Sequence, residues 1–386
     1  MAEGPTRANW LDPPYRRQAF RTLDRLLPTA TIGRGERPVR ELGAPTGEDG
    51  DLDAIVYDGA AGPTTVGSWI AASVTDGLCV LAGDGLVIER YRDGFEASQR
   101  HLLMSVSKSI GGITALALIA DGTLDPSMPV VELIPELAGG GYGEATVQHV
   151  LDMAVDLRFS QDYDDPASDV QTEDRASGWR PPLPGDPLTT QAFLATLTVA
   201  GPPGRRFRYC STTTDVLAWL LERASGQPYA TVVSERVWSR IGAERDAVVT
   251  VDAAGFAYAC AGISATLRDL ARFGRMVLDG GRCGDAVVVP ADAVAGLRKG
   301  GTRVDSAEDR DALVTAYPEI GYRDQWWSTR GPRDAWFAVG IFGQWLWLDP
   351  TSDVVIAKLS SLDAAYDPAD AIEAIHALDA ISRSLA

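Results

Sequence analysis

The feature that most constrains this chain is a long apolar stretch that carries a single ionisable amine. Between His101 and Asp121, the only Lys, Arg, Asp or Glu is Lys108. Only three of the 35 Lys and Arg residues in the whole chain are lysine. A lysine amine can lose its proton when it is desolvated, whereas a guanidinium stays charged. The stretch therefore predicts a mostly buried helix that presents one amine.

Ser105 lies three residues before this amine. Residues three apart share a helix face, so the Ser105 hydroxyl and the Lys108 amine are expected to meet. Burial disfavours the ammonium form and is expected to make Lys108 a neutral base for the serine proton. The alternative for a bare S-x-x-K match is a surface lysine after a helix cap. The scarcity of lysine and the uncharged flanks favour the catalytic interpretation.

A serine hydrolase built on histidine is the competing arrangement. The chain has three histidines, His101, His149 and His376, and a Ser-His-Asp site would have to use one of them. His101 lies close to Ser105, but the serine has no G-x-S-x-G elbow around it. The other two lie in a short amphipathic helix and in the last helix. We expect structural or surface roles for all three, and a serine that works without histidine.

Charge and cysteine usage limit the partners. The formal net charge of −18 argues against nucleic acid or an anionic membrane, since both select basic surfaces. No export signal and no stretch of transmembrane length are visible. The four cysteines show neither a C-x-x-C pair nor zinc spacing. We expect reduced thiols in the cytoplasm, no metal, no cofactor and a small-molecule substrate.

The order of predicted elements indicates an α+β fold. Two β-rich runs at 78–82 and 86–91 form a hairpin, helical patterns follow, and three more runs precede a final helix. This order predicts one domain built from both ends of the chain, 1–126 and 276–386, with an all-helical domain inserted at 127–275. We expect the active site in the cleft between the two.

Two motifs carry a family resemblance. Ser105-Val-Ser-Lys108 and a later Tyr209-Cys-Ser211 resemble the serine hydrolases that share the class C β-lactamase and DD-peptidase fold. Within them, the chain is similar to the 6-aminohexanoate-dimer (nylon-oligomer) hydrolases. The matching text is 101–109, 165–168, 174–175, 178–179, 214–219, 343–344 and 346–350. The resemblance runs from about residue 10 to the C-terminus and implies an antiparallel sheet flanked by helices.

The resemblance also implies catalytic roles. Ser105 would be the nucleophile, Lys108 its proton acceptor, and Tyr209 the phenol that passes a proton to the leaving amine. The backbone amides of Ser105 and Ile341 would form the oxyanion hole. Ser211 replaces the usual asparagine of the Y-x-N element. The K-T-G element is absent, with 338–340 reading Ala-Val-Gly, so no cation is expected for a penicillin carboxylate.

Four further positions would contact the substrate. Tyr163 matches the tyrosine that hydrogen-bonds the scissile amide nitrogen, and Asp174 matches the carboxylate that contacts the free ammonium end. A loop tyrosine and a helix-capping aspartate are the plainer interpretations of these two. Trp179 is expected to line the substrate channel. Cys260 stands where relatives carry a polar side chain near the cleft, which affects substrate preference.

Together these features predict an enzyme that cleaves linear amides of aminoalkanoate oligomers through an acyl-enzyme. Short-chain carboxyl esters are the expected second substrate. One alternative is a carboxylesterase with little amidase activity. Another is a penicillin-binding or sensor-type module that is acylated and does not turn over. By analogy with the family, a homodimer is also expected.

Overall fold

The computed structural model describes residues 4–304, 311–331 and 333–386. Its helices are α1 (Arg16–Arg21), α2 (Asp49–Asp53), α3 (Val66–Ala72), α4 (Val106–Ala120), α5 (Val130–Leu133), α6 (Val147–Leu151), α7 (Asp169–Ala176), α8 (Thr190–Leu194), α9 (Thr212–Ser225), α10 (Tyr229–Arg236), α11 (Leu267–Leu278), α12 (Ala291–Lys299), α13 (Asp311–Ala316) and α14 (Pro368–Ser384). The lysine-bearing stretch forms α4, which is buried almost throughout, as predicted.

The strands form one large sheet and several small ones. They are β1 (Thr29–Ile32), β2 (Val56–Gly59), β3 (Gly62–Thr65), β4 (Thr75–Ala82), β5 (Gly85–Tyr91), β6 (His101–Leu102), β7 (Leu157–Arg158), β8 (Thr198–Val199), β9 (Ala247–Thr250), β10 (Ile263–Ala265), β11 (Arg282–Cys283), β12 (Ala286–Val287), β13 (Thr302–Arg303), β14 (Gly321–Arg323), β15 (Trp326–Ser328), β16 (Trp336–Gly340), β17 (Gln344–Asp349) and β18 (Val354–Ser360).

The central sheet is antiparallel and joins both ends of the chain. Its eight strands run in the order β13-β14-β15-β16-β17-β18-β4-β5, so that the N-terminal hairpin pairs with the last strand. Side chains alternate between the two faces of a strand. In β17, Trp345 and Trp347 pack with residues of α14, whereas Leu346 and Leu348 pack with residues of α11. The sheet is therefore covered by a helix on each face, as the predicted fold class requires.

The middle of the chain is mostly helical but not purely so. It contributes β9 and β10, which join β1 and β6 in a second, four-stranded sheet. Helix α11 spans residue 275 and packs on β4, β17 and β18 of the central sheet. The predicted division into 1–126 with 276–386 and 127–275 stays a prediction, and its description of the middle as all-helical is too narrow. None of the described helices is both long and apolar enough to cross a bilayer.

Two glycines, one within α4 and one in β16, allow backbone segments to lie directly against α4 and its N-cap residue. A Cβ on Gly112 would come within 2.3 Å of the Asp324 carbonyl oxygen, so this helix position must be glycine for the β14–β15 turn to pack there. A Cβ on Gly340, at the end of β16, would lie 3.0 Å from the Ser105 amide nitrogen. The end of β16 is thereby held against the N-cap residue of α4.

Candidate active site

Ser105 occupies the N-cap position of α4, at a sharp turn from β6 into the helix. The preceding residue, Met104, has a φ of 49°, a backbone angle that residues other than glycine rarely adopt. Lys108, one turn into the helix, donates from Nζ to Ser105 Oγ at 2.9 Å and to the Cys260 carbonyl oxygen at 2.7 Å. The structure thus places the serine and the lysine in hydrogen-bond contact, as their spacing predicts.

The charge on Lys108 differs from the sequence-based expectation. Burial lowers the pKa of this amine, but the Coulombic attraction of Tyr209, Cys260, Tyr163 and Asp215 outweighs burial and leaves the pKa above its ordinary value. This direction opposes the expectation of a lysine neutralised by desolvation. It favours an ammonium, which agrees with the two hydrogen bonds that Nζ donates.

Tyr209 packs against this ammonium. Lys108 Nζ lies 5.4 Å from the centroid of the Tyr209 ring. The Tyr209 ring also stacks on the Trp327 ring, with the two ring centroids 5.7 Å apart. Ser211, two residues on, is the N-cap of α9, so the start of this helix carries both polar groups to the site. The spacing of the Tyr-Cys-Ser element thereby brings two predicted residues to one place.

A cavity of about 180 Å³ opens above Ser105. Seven predicted site residues line it: Ser105, Tyr163, Asp174, Trp179, Ser211, Cys260 and Ile341. Lys108 lies behind Ser105 and is 1 % exposed, whereas Tyr209 is 5 % exposed. The cavity therefore offers a substrate the serine hydroxyl, while the ammonium stays out of water.

The turn that carries Ile341 is held by a network that sequence reasoning missed. Gln344 Nε2 donates to the Phe342 carbonyl at 3.1 Å and to the Ser360 carbonyl at 2.7 Å, and Gln344 Oε1 accepts from the Ser360 amide. Lys358 Nζ donates to the Gly343 carbonyl at 3.2 Å and to Ser360 Oγ. These bonds stabilise a turn in which Phe342 has a φ of 62°. Gln344 lies in the matching text, but nothing in its spacing indicated this role.

Gln161 is a second residue that the sequence did not single out. Its Nε2 donates to the Tyr163 hydroxyl and to Ser211 Oγ, both at 2.7 Å, and its Oε1 accepts from the Ser211 amide. A loop glutamine carries no sequence signal of its own. It links Tyr163 to the start of α9 and so sets where the tyrosine stands in the cavity wall.

Asp174 is already engaged in the unliganded site. It accepts from Tyr258 Oη at 2.9 Å and from Arg180 Nε at 3.2 Å. Burial raises the pKa of this carboxyl, against the opposing effects of Arg180 and Tyr258. Trp179 packs edge-to-face on Tyr258, with ring centroids 4.8 Å apart. A substrate ammonium at Asp174 would therefore have to share the carboxylate with Arg180.

Cys260 contributes mainly its backbone. Its carbonyl accepts the Lys108 ammonium, and its amide donates to Asp215 Oδ1 at 3.1 Å. Burial raises the pKa of the thiol well above its ordinary value, so the thiol is uncharged. Cys260 Sγ, one carboxylate oxygen of Glu173 and one of Asp215 all lie within 4.8 Å of one another.

The histidine nearest to the serine has a different partner. His101 is fully buried, its Nε2 lies 3.2 Å from Asp76 Oδ2, and its Nδ1 lies 2.8 Å from the Leu102 carbonyl oxygen. His149 closes a capping box with Thr146 at the start of α6. Both rings are thus used within the fold, and Ser105 hydrogen-bonds to a lysine instead.

Comparison with known proteins agrees with this geometry. The family model described as Beta-lactamase matches residues 70–379 of the chain. The chain belongs to this family. A 6-aminohexanoate-dimer hydrolase from Paenarthrobacter ureafaciens is 44% identical over 357 residues, which cover 92% of this chain and 88% of the relative. This member of the β-lactamase family is therefore a hydrolase.

Solved structures of the same fold extend the comparison. A Bacillus anthracis protein, described as a candidate 6-aminohexanoate-dimer hydrolase, superposes with a TM-score of 0.84 at 26% identity, over 98% of this chain and 97% of that one. A family VIII carboxylesterase gives a TM-score of 0.60 at 16% identity, over 82% of this chain and 96% of that one. The second likeness shows the fold alone.

Proposed function

We propose that the chain is a serine hydrolase that cleaves linear amide bonds between aminoalkanoate units through an acyl-enzyme. The observation that carries the proposal is the Ser105–Lys108 hydrogen bond at the floor of a cavity whose wall contains Tyr163 and Asp174. The 44% identity to a 6-aminohexanoate-dimer hydrolase supports the substrate class.

Acylation begins with the pair formed by Lys108 and Tyr209. We propose that Lys108 holds the proton of this pair before the reaction, so that the Tyr209 oxygen accepts the proton of Ser105 as Oγ attacks the amide carbon. The amides of Ser105 and Ile341 stabilise the resulting oxyanion; such a donor contributes about 10²-fold to 10³-fold in rate. When the C–N bond breaks, the same proton passes to the leaving nitrogen. Water then adds to the acyl carbon, and its proton returns to Ser105 Oγ.

Tyr163 distinguishes amides from esters in this mechanism. When an amide is cleaved, the amine leaves only if its nitrogen is held in an orientation that accepts a proton. The leaving group of an activated ester departs as a stable anion and needs no proton. Gln161 fixes the Tyr163 hydroxyl in the cavity wall. We propose that this hydroxyl hydrogen-bonds the scissile nitrogen, and that Asp174 receives the substrate's ammonium end.

The test compares an amide with an ester in matched variants. Turnover of 6-aminohexanoate dimer and of p-nitrophenyl acetate is measured for the wild type, Tyr163→Phe and Ser105→Ala. We expect Ser105→Ala to lose both activities, and Tyr163→Phe to lose about tenfold or more on the amide alone, in line with the loss of one hydrogen bond to the reacting group. Equal losses on both substrates in Tyr163→Phe would remove this tyrosine from the mechanism.

A carboxylesterase with little amidase activity is the second candidate. The contact that favours it is the ion pair between Arg180 and Asp174, which occupies the carboxylate before any substrate arrives. Steady turnover of the ester with none of the dimer would establish this candidate. A stoichiometric burst of product without further turnover would instead establish a penicillin-binding or sensor-type module.

Location and assembly complete the proposal. We propose a cytoplasmic location; the four free cysteines support it, because thiols stay reduced in that compartment. Cell fractionation tests this location. A homodimer is proposed on the family resemblance, and light scattering on the purified chain measures the oligomeric state.

A further inference from the structure

Two carboxyl groups lie buried beside the lysine of the active site. Glu173, in the C-terminal half of α7, and Asp215, in the first turn of α9, are both fully buried. One carboxylate oxygen of Glu173 and one of Asp215 lie within 4.8 Å of each other, and both lie within the same distance of Cys260 Sγ. Two ionised carboxylates cannot both persist at this separation without solvent, so the pair must hold a proton.

The hydrogen bonds assign that proton to one side. Asp215 Oδ1 accepts from the Cys260 amide, and its position in the first turn of α9 favours a negative charge. Among the described residues, neither oxygen of Glu173 accepts a hydrogen bond of ordinary geometry, nor does Asp215 Oδ2. The donor that acts on Glu173 is the Thr212 hydroxyl, which is itself buried without a partner of ordinary geometry in the described structure. A carboxyl hydrogen on one oxygen of Glu173, donated to Asp215 Oδ2, would satisfy these two oxygens, and the Thr212 hydroxyl is the donor for the other oxygen of Glu173.

The charge that remains lies next to the active-site ammonium. The Cys260 peptide joins the two groups directly, because its amide donates to Asp215 while its carbonyl accepts from Lys108. The dipole of the Cys260 peptide is therefore aligned between the Asp215 carboxylate and the Lys108 amine. The charge of Asp215 is also one of the influences that raise the pKa of Lys108.

We propose that Glu173 and Asp215 share one proton, that the remaining charge lies on Asp215, and that this charge is a buried counterion that, together with Tyr209, keeps Lys108 an ammonium beneath Ser105. Both carboxylates are positioning residues, since neither lines the cavity. The inference rests on the proposed roles of Ser105 and Lys108. Burial raises the pKa of Glu173 well above its ordinary value and raises that of Asp215 less, which agrees with the assignment.

Other ionisable groups face the two carboxyl groups, and these other groups are present unchanged in the variants of the two carboxyl groups compared below. They are Lys108, Asp174, Cys260 and the phenols Tyr142, Tyr229 and Tyr258. Burial raises the pKa of each of these three phenols and of the thiol, so these four groups are uncharged near neutral pH. The charge balance near neutral pH is therefore set by the carboxyl groups and by the pair of Lys108 and Tyr209, which holds one proton in the proposed mechanism.

The first measurement is spectroscopic and needs no substrate. An infrared difference spectrum between the wild type and Glu173→Gln is expected to contain the band of a protonated carboxyl group, because glutamine replaces the group that carries the proton. The difference between the wild type and Asp215→Asn is expected to contain the band of an ionised carboxylate instead. A difference spectrum for Glu173→Gln that contains no protonated-carboxyl band overturns the proposal. So does a stoichiometric metal ion in the purified protein, since a cation would displace the proton.

The second measurement follows Ser105 itself. The rate at which a fluorophosphonate labels Ser105 is recorded against pH for the wild type, Glu173→Gln and Asp215→Asn. Glutamine still donates a hydrogen bond to Asp215, so Glu173→Gln is expected to label within about threefold of the wild type. Asp215→Asn removes the counterion, so its alkaline limb is expected to move to lower pH by about one unit or more. Equal pH profiles for the two variants would overturn the proposal.

The control removes a buried carboxylate elsewhere in the fold. Asp349, fully buried, accepts from Arg333 at the end of β17, and Asp349→Asn is expected to leave the labelling profile in place even if its thermal stability falls. If the wild type itself is not labelled at Ser105, the proposed function fails. The infrared result still decides the shared proton in that case.

Discussion

The amine of Lys358 is fully buried and forms no salt bridge with any of the described residues, so its charge is expected to affect the stability of the fold. It donates to the Gly343 carbonyl and to Ser360 Oγ, and its ammonium lies 5.2 Å from the centroid of the Trp69 ring. Burial lowers the pKa of this lysine from 10.5 to about 8, against the weaker opposing charges of Asp370 and Asp76. In the unfolded chain the same amine is expected to titrate near its ordinary value.

The sign of the stability effect follows from proton binding. Between pH 8 and pH 10.5 the unfolded chain binds more protons at Lys358 than the folded chain does, so the free energy of unfolding rises with pH in this window. Below pH 8 both states are protonated, and the buried charge destabilises the fold by a constant amount. Lowering the pKa of Lys358 from 10.5 to about 8 corresponds to a free-energy cost of burying its charge of roughly 3 kcal/mol, at about 1.36 kcal/mol per pKa unit.

The perturbation is Lys358→Met, which keeps the length of the side chain and removes the charge. Urea unfolding of the wild type and the variant is measured at pH 7 and pH 10. We expect the free energy of unfolding of the wild type, relative to the variant, to increase by roughly 2–3 kcal/mol between these two pH values. The paired comparison cancels the titration of every other group.

The control is Lys299→Met, which alters an exposed lysine at the end of α12. Its difference from the wild type is expected to stay within about 0.5 kcal/mol at both pH values. A difference between the wild type and Lys358→Met that is the same at pH 7 and pH 10 would refute the reasoning.

Three further predictions concern the site and its neighbours. Lys108→Met is expected to lower kcat/KM by about 10³-fold or more, whereas Lys299→Met leaves it unchanged; steady-state kinetics with either substrate measures both. Gln344→Leu is expected to lower kcat by about tenfold or more with little change in KM, because the turn that carries the Ile341 amide loses its hydrogen bonds; a fall in affinity alone would contradict this. His101→Gln is expected to lower the melting temperature by several degrees, yet to keep kcat/KM of the folded protein within about threefold, whereas a histidine-based site would lose nearly all activity.

The nucleophile could be predicted from sequence because its signal is local. Ser105 and Lys108 lie three apart in an uncharged stretch, and helix geometry alone then brings the hydroxyl and the amine together. The strands β4, β5, β16, β17 and β18 were equally accessible, since each is a short β-rich run bounded by turn residues, and so was the last helix, whose start is marked by Pro368. The β9 and β10 strands were missed, because a run of four and a run of three residues lie among strong helical patterns.

The charge of Lys108 could not be predicted in the same way. It depends on Tyr209, Cys260 and Asp215, which are far from Lys108 in the chain and meet it only in the folded protein. The ion pair between Arg180 and Asp174 is likewise a property of how the chain leaves α7. Spacing identifies which groups can react, whereas their protonation is set by partners that the sequence does not bring together.

The three lysines make this distinction within a single chain. Lys299 is exposed, whereas Lys108 and Lys358 are both fully or almost fully buried. The sequence predicted burial only for Lys108, from its uncharged flanks, and lysine scarcity by itself does not separate Lys108 from Lys358. The surroundings separate them: Lys108 lies among oxygen and sulfur groups that raise its pKa, whereas the pKa of Lys358 is lowered because burial outweighs the charges near it. The first amine can stay charged next to a nucleophile, and the second lies under the turn that carries the neighbouring backbone amide, so one residue type contributes a reacting group at one position and a structural support at the other.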